Sequence, residues 1–113
     1  MGKKVTETEV KKEITEGLKP LSDKIHVFRV WCGQTVAKKG GIIIGAARGT
    51  PDLCGFFKAG PNSGRFLGIE VKLPKAQFRP EQYEFATTAS RAGAVVIGAE
   101  SWEDCRRKLE AFL

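Results

Sequence analysis

Apolar residues along the chain fall into blocks whose spacing switches between helical and alternating. In TETEVKKEITEGLKPL, Val10, Ile14, Gly17, Leu18 and Leu21 recur at helical spacing, and Thr6 with Glu9 makes a capping box, so a helix is expected over about residues 7–19. KIHVFRVWCG is rich in β-formers and reads as a strand, and GGIIIG as a short second one, joined by the polar connection QTVAKK, which could form a hairpin loop between them. Residues 52–57 and 65–73 read as a hairpin, because KAGPNSG between them carries Pro, Asn and Gly where a turn wants them.

Pro80 stands near a helix start and Gly93 just past its end, which predicts a second helix over about 80–91. AVVIGA then reads as a buried strand. The closing SWEDCRRKLEAFL has Ser101 and Asp104 as a capping box and an apolar stripe of Trp102, Cys105, Leu109 and Phe112. The order is helix, three or four strands, helix, strand, helix. A hairpin followed by a crossover helix predicts an α/β fold with a mixed sheet, its last strand parallel to a neighbour.

Alternation within RFLGIEVKL sorts the residues of that strand into two faces. Leu67, Ile69, Val71 and Leu73 point one way, as core, while Phe66, Gly68, Glu70 and Lys72 point the other. A hairpin loop symmetric about Pro61 sets Asp52 directly across from Glu70, with Cα atoms roughly 4.5–5.5 Å apart; a slip of two residues would instead bring Lys72 or Gly68 opposite. Two carboxylates so placed repel unless a cation lies between them. Asp52, Glu70 and one main-chain carbonyl would then offer hard oxygen ligands to magnesium or manganese, with Lys72 close to a metal-bound water. The competing reading is a solvated ion pair on a strand.

Two further polar residues interrupt apolar faces. Glu7 is in register with Val10, Ile14 and Leu18, and Gln82 shares a face with Phe85, Ala86 and Ala89, so both are candidates for the same polar site. For Glu7 the alternative is a solvated first-turn glutamate favoured by the helix dipole.

Composition narrows the chemistry. A chain of 113 residues, 42% hydrophobic, supports one domain, taken as residues 1–113. With no apolar run long enough for a membrane span or a signal peptide, a soluble, cytoplasmic protein is expected. Cys32, Cys54 and Cys105 are odd in number and show no CxxC pair, against a disulfide framework or a zinc knuckle. His26 is the only histidine, which excludes paired-histidine mechanisms; no phosphate-cradling glycine motif or EF-hand loop is present, so no nucleotide cofactor is expected. Nineteen Lys and Arg against thirteen Asp and Glu give a net charge of +6, spread along the chain, which favours a polyanionic partner such as nucleic acid. Lys38, Lys39, Arg48, Lys75 and Arg79 flank the candidate site in loops and are candidates for phosphate contacts, their alternative being solubilising surface charge.

Together, RGTPDLCGF, GRFLGIEVKLPKAQFRPEQ and AGAVVIGAES resemble the VRR-NUC family of PD-(D/E)xK nucleases in its small stand-alone, phage-type form, over about residue 5 to the end. The resemblance rests on the ordered set G-x-P-D, E-x-K and P-E-Q. It implies a restriction-endonuclease-like core of order αββββαβα that hydrolyses DNA phosphodiesters with magnesium or manganese. By position it makes Asp52, Glu70 and the Val71 carbonyl metal ligands, and gives Lys72 the task of orienting the attacking water. Gln82 matches the family's glutamine and Glu7 its N-terminal helix glutamate. It further implies a homodimer acting on Holliday junctions or other branched DNA. Three other readings compete: a non-catalytic nucleic-acid-binding module, a restriction-type enzyme reading a short sequence, and an interaction domain whose surface centres on Trp31 or the last helix.

Overall fold

The structure, a computed structural model, describes residues 5–113, and the side chains of all of these except Gln34, Thr35, Ile43 and Ile44. Helix α1 (Glu7–Leu18) is capped by Thr6, whose hydroxyl accepts the Glu9 N–H, and runs into a 3₁₀ turn (Lys19–Leu21) containing Pro20. Strand β1 (Ile25–Arg29), a hairpin of β2 (Gln34–Val36) and β3 (Ile42–Ile44), and a second hairpin of β4 (Leu53–Phe57) and β5 (Phe66–Val71) follow. Helix α2 (Pro80–Arg91) crosses over to β6 (Val95–Ala99), and α3 (Trp102–Glu110), capped by Ser101, ends the fold.

The main sheet has four strands in the order β1-β4-β5-β6. Its first two pairings are antiparallel and β5–β6 is parallel, as the crossover through α2 requires. This is the expected α/β architecture of a mixed sheet flanked by helices, with one difference. QTVAKK is not merely a connection: Gln34–Val36 is itself a strand, pairing with β3 in a separate two-stranded arm, while β1 pairs with β4 instead of with GGIIIG. Whether Ile43 and Ile44 serve a core or an interface lies outside the described side chains.

Alternation sets what each face of the main sheet meets. Leu53 and Phe57 of β4, Leu67, Ile69 and Val71 of β5, and Val95, Ile97 and Ala99 of β6 pack with Val10, Ile14 and Leu18 of α1 and Cys105 and Leu109 of α3 into one core. Trp102 at the start of α3 packs its ring on Gly17, where any Cβ would collide with the indole. The opposite face is only half covered. Helix α2 lies over β5 and β6, with Phe85 against Phe66 at 6.2 Å between ring centroids, whereas His26, Phe28 and Phe56 on β1 and β4 remain exposed. No described helix is long and apolar enough to cross a membrane.

Two glycines let this framework close. Gly55 faces the main chain of β1 at His26, and Gly68 lies under the Pro51 ring; a Cβ on either would overlap those neighbours.

Candidate active site

The β4–β5 hairpin carries the register expected from its loop. Leu53 lies opposite Ile69 and Phe56 opposite Phe66, so one step beyond the paired residues Asp52 faces Glu70. The next step would pair Pro51 with Val71. Proline has no N–H to give the Val71 carbonyl, and the Val71 N–H is taken by Asp52 Oδ2 at 2.8 Å in place of the Pro51 carbonyl. The Val71 carbonyl points to the same side of the strand, toward a residue with no N–H to give it. The ladder thus ends at the Pro-Asp pair, where the Asp52 carboxylate takes over the Val71 N–H.

Asp52 is held from three directions. Its main-chain carbonyl accepts the Val30 N–H at 2.8 Å, Oδ2 accepts from Val71, and Oδ1 lies 3.4 Å from the Lys11 ammonium. Glu70 is only 4% exposed, and its Oε1 accepts from Gln82 Nε2 at 2.9 Å. Gln82 has no freedom left, because its Oε1 accepts the Arg79 N–H at 2.8 Å and so caps the start of α2. Burial pushes the Glu70 carboxyl up to about 8; the facing Asp52 charge and a proton shared with Asp52 add to the rise, and Lys72 and Arg79 oppose it.

A cleft of about 1000 Å³ opens above these groups. Asp52, Glu70, Gln82, Arg48 and Arg79 line it together with Trp31 and Cys32. Gly49 brings the RGTPD turn against α2: its φ is 92°, and a Cβ there would overlap the Glu81 carbonyl. Burial, with help from Asp52 and Glu70, raises the Cys32 thiol above its ordinary range, and Cys54 and Cys105 are pushed to about 11 by burial. All three cysteines are free thiols.

The other candidates from the sequence divide. Lys72 is near enough for Glu70 to feel its charge, but with Lys75 and Lys108 it lines a neighbouring groove. Lys75 has φ 71° in the turn closed by the Ala76 N–H to the Leu73 carbonyl, a backbone conformation that favours glycine. Lys38 and Lys39 are exposed at the tip of the β2–β3 arm, away from the cleft lining. Glu7 is exposed in the first turn of α1 and does not line the cleft, although the buried stripe of Val10, Ile14 and Leu18 continues from it. At the positive end of the helix dipole a carboxylate keeps both its hydration and a favourable field, so nothing drives it inward.

Lys11 reaches Asp52 from this helix, a contact the sequence reading did not single out. The signal was there: Lys11 is three and seven residues ahead of the buried Ile14 and Leu18, at the edge of the same stripe.

The site suits a small, hard cation. Among the described residues no group of three or more His, Cys, Asp or Glu side chains is placed to hold a metal. Two carboxylates and a carbonyl without a ladder donor match magnesium or manganese, which keep several waters or phosphate oxygens, better than zinc, which wants nitrogen or sulfur ligands. No protein-family model, no curated protein and no solved structure matches this chain.

Proposed function

We propose that the chain is a magnesium- or manganese-dependent DNA endonuclease of the VRR-NUC type, hydrolysing phosphodiester bonds in branched DNA such as Holliday junctions. The observation that carries this reading is the apposition of Asp52, which accepts the Val71 N–H, and the buried Glu70, in a cleft lined by Arg48 and Arg79. Without a metal, Glu70 avoids the Asp52 charge by holding a proton up to about pH 8, and a divalent ion could take the place of that proton.

In this reading Asp52, Glu70 and the Val71 carbonyl hold the ion. Bound there, it supplies a Lewis acid for the phosphate and a water of lowered pKa, so no histidine base is required. Gln82 would keep the Glu70 carboxylate in place, Lys72, which lines the neighbouring groove but whose charge Glu70 feels, would orient the water and offset developing negative charge, and Arg48 and Arg79 would hold flanking phosphates. Lys11 fixes the second oxygen of Asp52.

A branched substrate suits a homodimer with two active sites. The exposed His26, Phe28 and Phe56 on the open half of the sheet, beside the unpaired edge of β1, offer a face for the second copy. In this reading the enzyme acts on DNA in the cytoplasm.

The test is cleavage of labelled four-way junction and linear duplex by wild type and Glu70→Gln, with magnesium, manganese or chelator. Metal-dependent cleavage by wild type alone supports the reading. Salt-sensitive binding without cleavage under any metal would leave a non-catalytic binding module in its place.

A further inference from the structure

Trp31 stands at the wall of the cleft whose floor holds Asp52 and Glu70, and it is 48% exposed. Unlike the exposed Phe28, Phe56 and Tyr83, Trp31 lines the polar, charged cleft. It is also firmly attached. Val30, the preceding residue, donates its N–H to the Asp52 carbonyl at 2.8 Å, and the Trp31 carbonyl accepts the Ala46 N–H at 2.8 Å. One edge of the indole rests on Gly45, where any Cβ would overlap the ring. The main chain on both sides therefore fixes the indole relative to the carboxylates, with no side chain of residue 45 to displace it.

The chemistry around it selects the occupant. Arg48 and Arg79 share the lining with the acidic Asp52, Glu70 and Glu81, and Lys38 and Lys39 stand exposed on the neighbouring arm, so cationic groups are at hand for the phosphates of a polyanion around a cleft that also presents a flat π surface. Bases stack on such a surface only when they have left their neighbours in the duplex.

We propose that Trp31 stacks on an unpaired base of the strand whose phosphate lies over Asp52 and Glu70, so that the cleft takes DNA with an unstacked nucleotide beside the scissile bond. The position of that phosphate rests on the nuclease reading above; the stacking itself does not require cleavage. A continuous duplex then enters poorly because its bases would first have to be unstacked. The selectivity for branched DNA is thereby located in one side chain, separate from the carboxylates that do the chemistry.

Binding in chelator separates the two ideas. Fluorescently labelled oligothymidylate and a blunt duplex of equal length are titrated with wild type, Trp31→Ala and Trp31→Phe at fixed salt, and intrinsic tryptophan emission is followed with unlabelled DNA. Wild type is expected to favour the single strand with quenching of Trp31, which is distinguishable from Trp102 packed on Gly17. Trp31→Ala is expected to weaken single-strand binding about fivefold or more while leaving duplex binding unchanged, and Trp31→Phe to retain most of it. Equal loss for both DNAs, no loss for either, or no DNA binding by wild type overturns the inference. If wild type cleaves with metal and Trp31→Ala keeps the same substrate ranking, stacking fails and the nuclease reading survives. If stacking is seen but no metal supports cleavage, the nuclease reading fails and the stacking surface stands.

Discussion

The Asp52 carboxylate takes the Val71 N–H at 2.8 Å, the position that a main-chain carbonyl would occupy had the β4–β5 ladder continued through Pro51. This one hydrogen bond joins fold to chemistry. It anchors a charged side chain across from Glu70 and ends the hairpin where the cleft begins.

Replacing Asp52 by Asn keeps an acceptor for the Val71 N–H but removes the charge. Asp52→Asn is therefore expected to fold with stability within about 1 kcal/mol of wild type, to lose divalent-ion binding, and to bring the Glu70 carboxyl down from about 8 toward its ordinary range. Calorimetric titration with manganese and carboxyl titration by NMR check both halves.

The raised Glu70 carboxyl makes stability depend on pH in a stated direction. An unfolded glutamate ionises near 4.5 and the folded one near 8, so between these values the native state holds a proton that the unfolded chain has released. Stability from this group is complete below pH 4.5 and falls as pH rises toward 8. The melting temperature in chelator should decline over that window, and Glu70→Gln should flatten the decline. Ion binding needs the carboxylate, so it should release protons and strengthen as pH approaches 8. Calorimetry in buffers of different ionisation enthalpy counts those protons.

Gln82 serves two acceptor–donor tasks at once, to the Arg79 N–H and to Glu70. Gln82→Ala removes a helix cap and leaves a buried carboxyl without its donor, with an expected loss of about 1–3 kcal/mol in denaturant unfolding. Gln82→Glu restores the acceptor but adds a third negative charge, and its ion-free form should be less stable than wild type at pH 8.

At Gly49 both backbone conformation and space forbid a side chain. Gly49→Ala is expected to cost about 2 kcal/mol or more and to shift α2, since the new Cβ would meet the Glu81 carbonyl. Chemical unfolding measures the cost, and weakened ion binding would report the displacement of Gln82.

Much of this was legible in the chain. The loop KAGPNSG sets a symmetric hairpin, so the Asp52–Glu70 apposition follows from arithmetic on the register, and the observed pairing of Leu53 with Ile69 agrees. Helix α2 begins at Pro80 and ends at Arg91, where proline and glycine punctuation placed it. What local pattern could not convey was long-range pairing. Strand β2 is only three residues of mixed polarity, too short for alternation to show, and its partner was settled when β4 took the place beside β1. Lys11 went unnoticed because a lysine at the edge of an apolar stripe looks solvated until the aspartate it meets is known. For Glu7 the helical register alone could not tell a buried acid from a first-turn one; the start of the helix decided for solvent.

A nuclease reading stands or falls with Asp52 and Glu70 as holders of a divalent ion. Its most direct test follows labelled four-way junction, flap and linear duplex DNA with wild type and Glu70→Gln, each with magnesium, manganese or chelator. Wild type is expected to cleave only with metal, fastest on the branched DNAs, and a folded Glu70→Gln not at all. Cleavage that persists in Glu70→Gln, or a folded wild type that binds these DNAs yet cuts none with either metal, would contradict it.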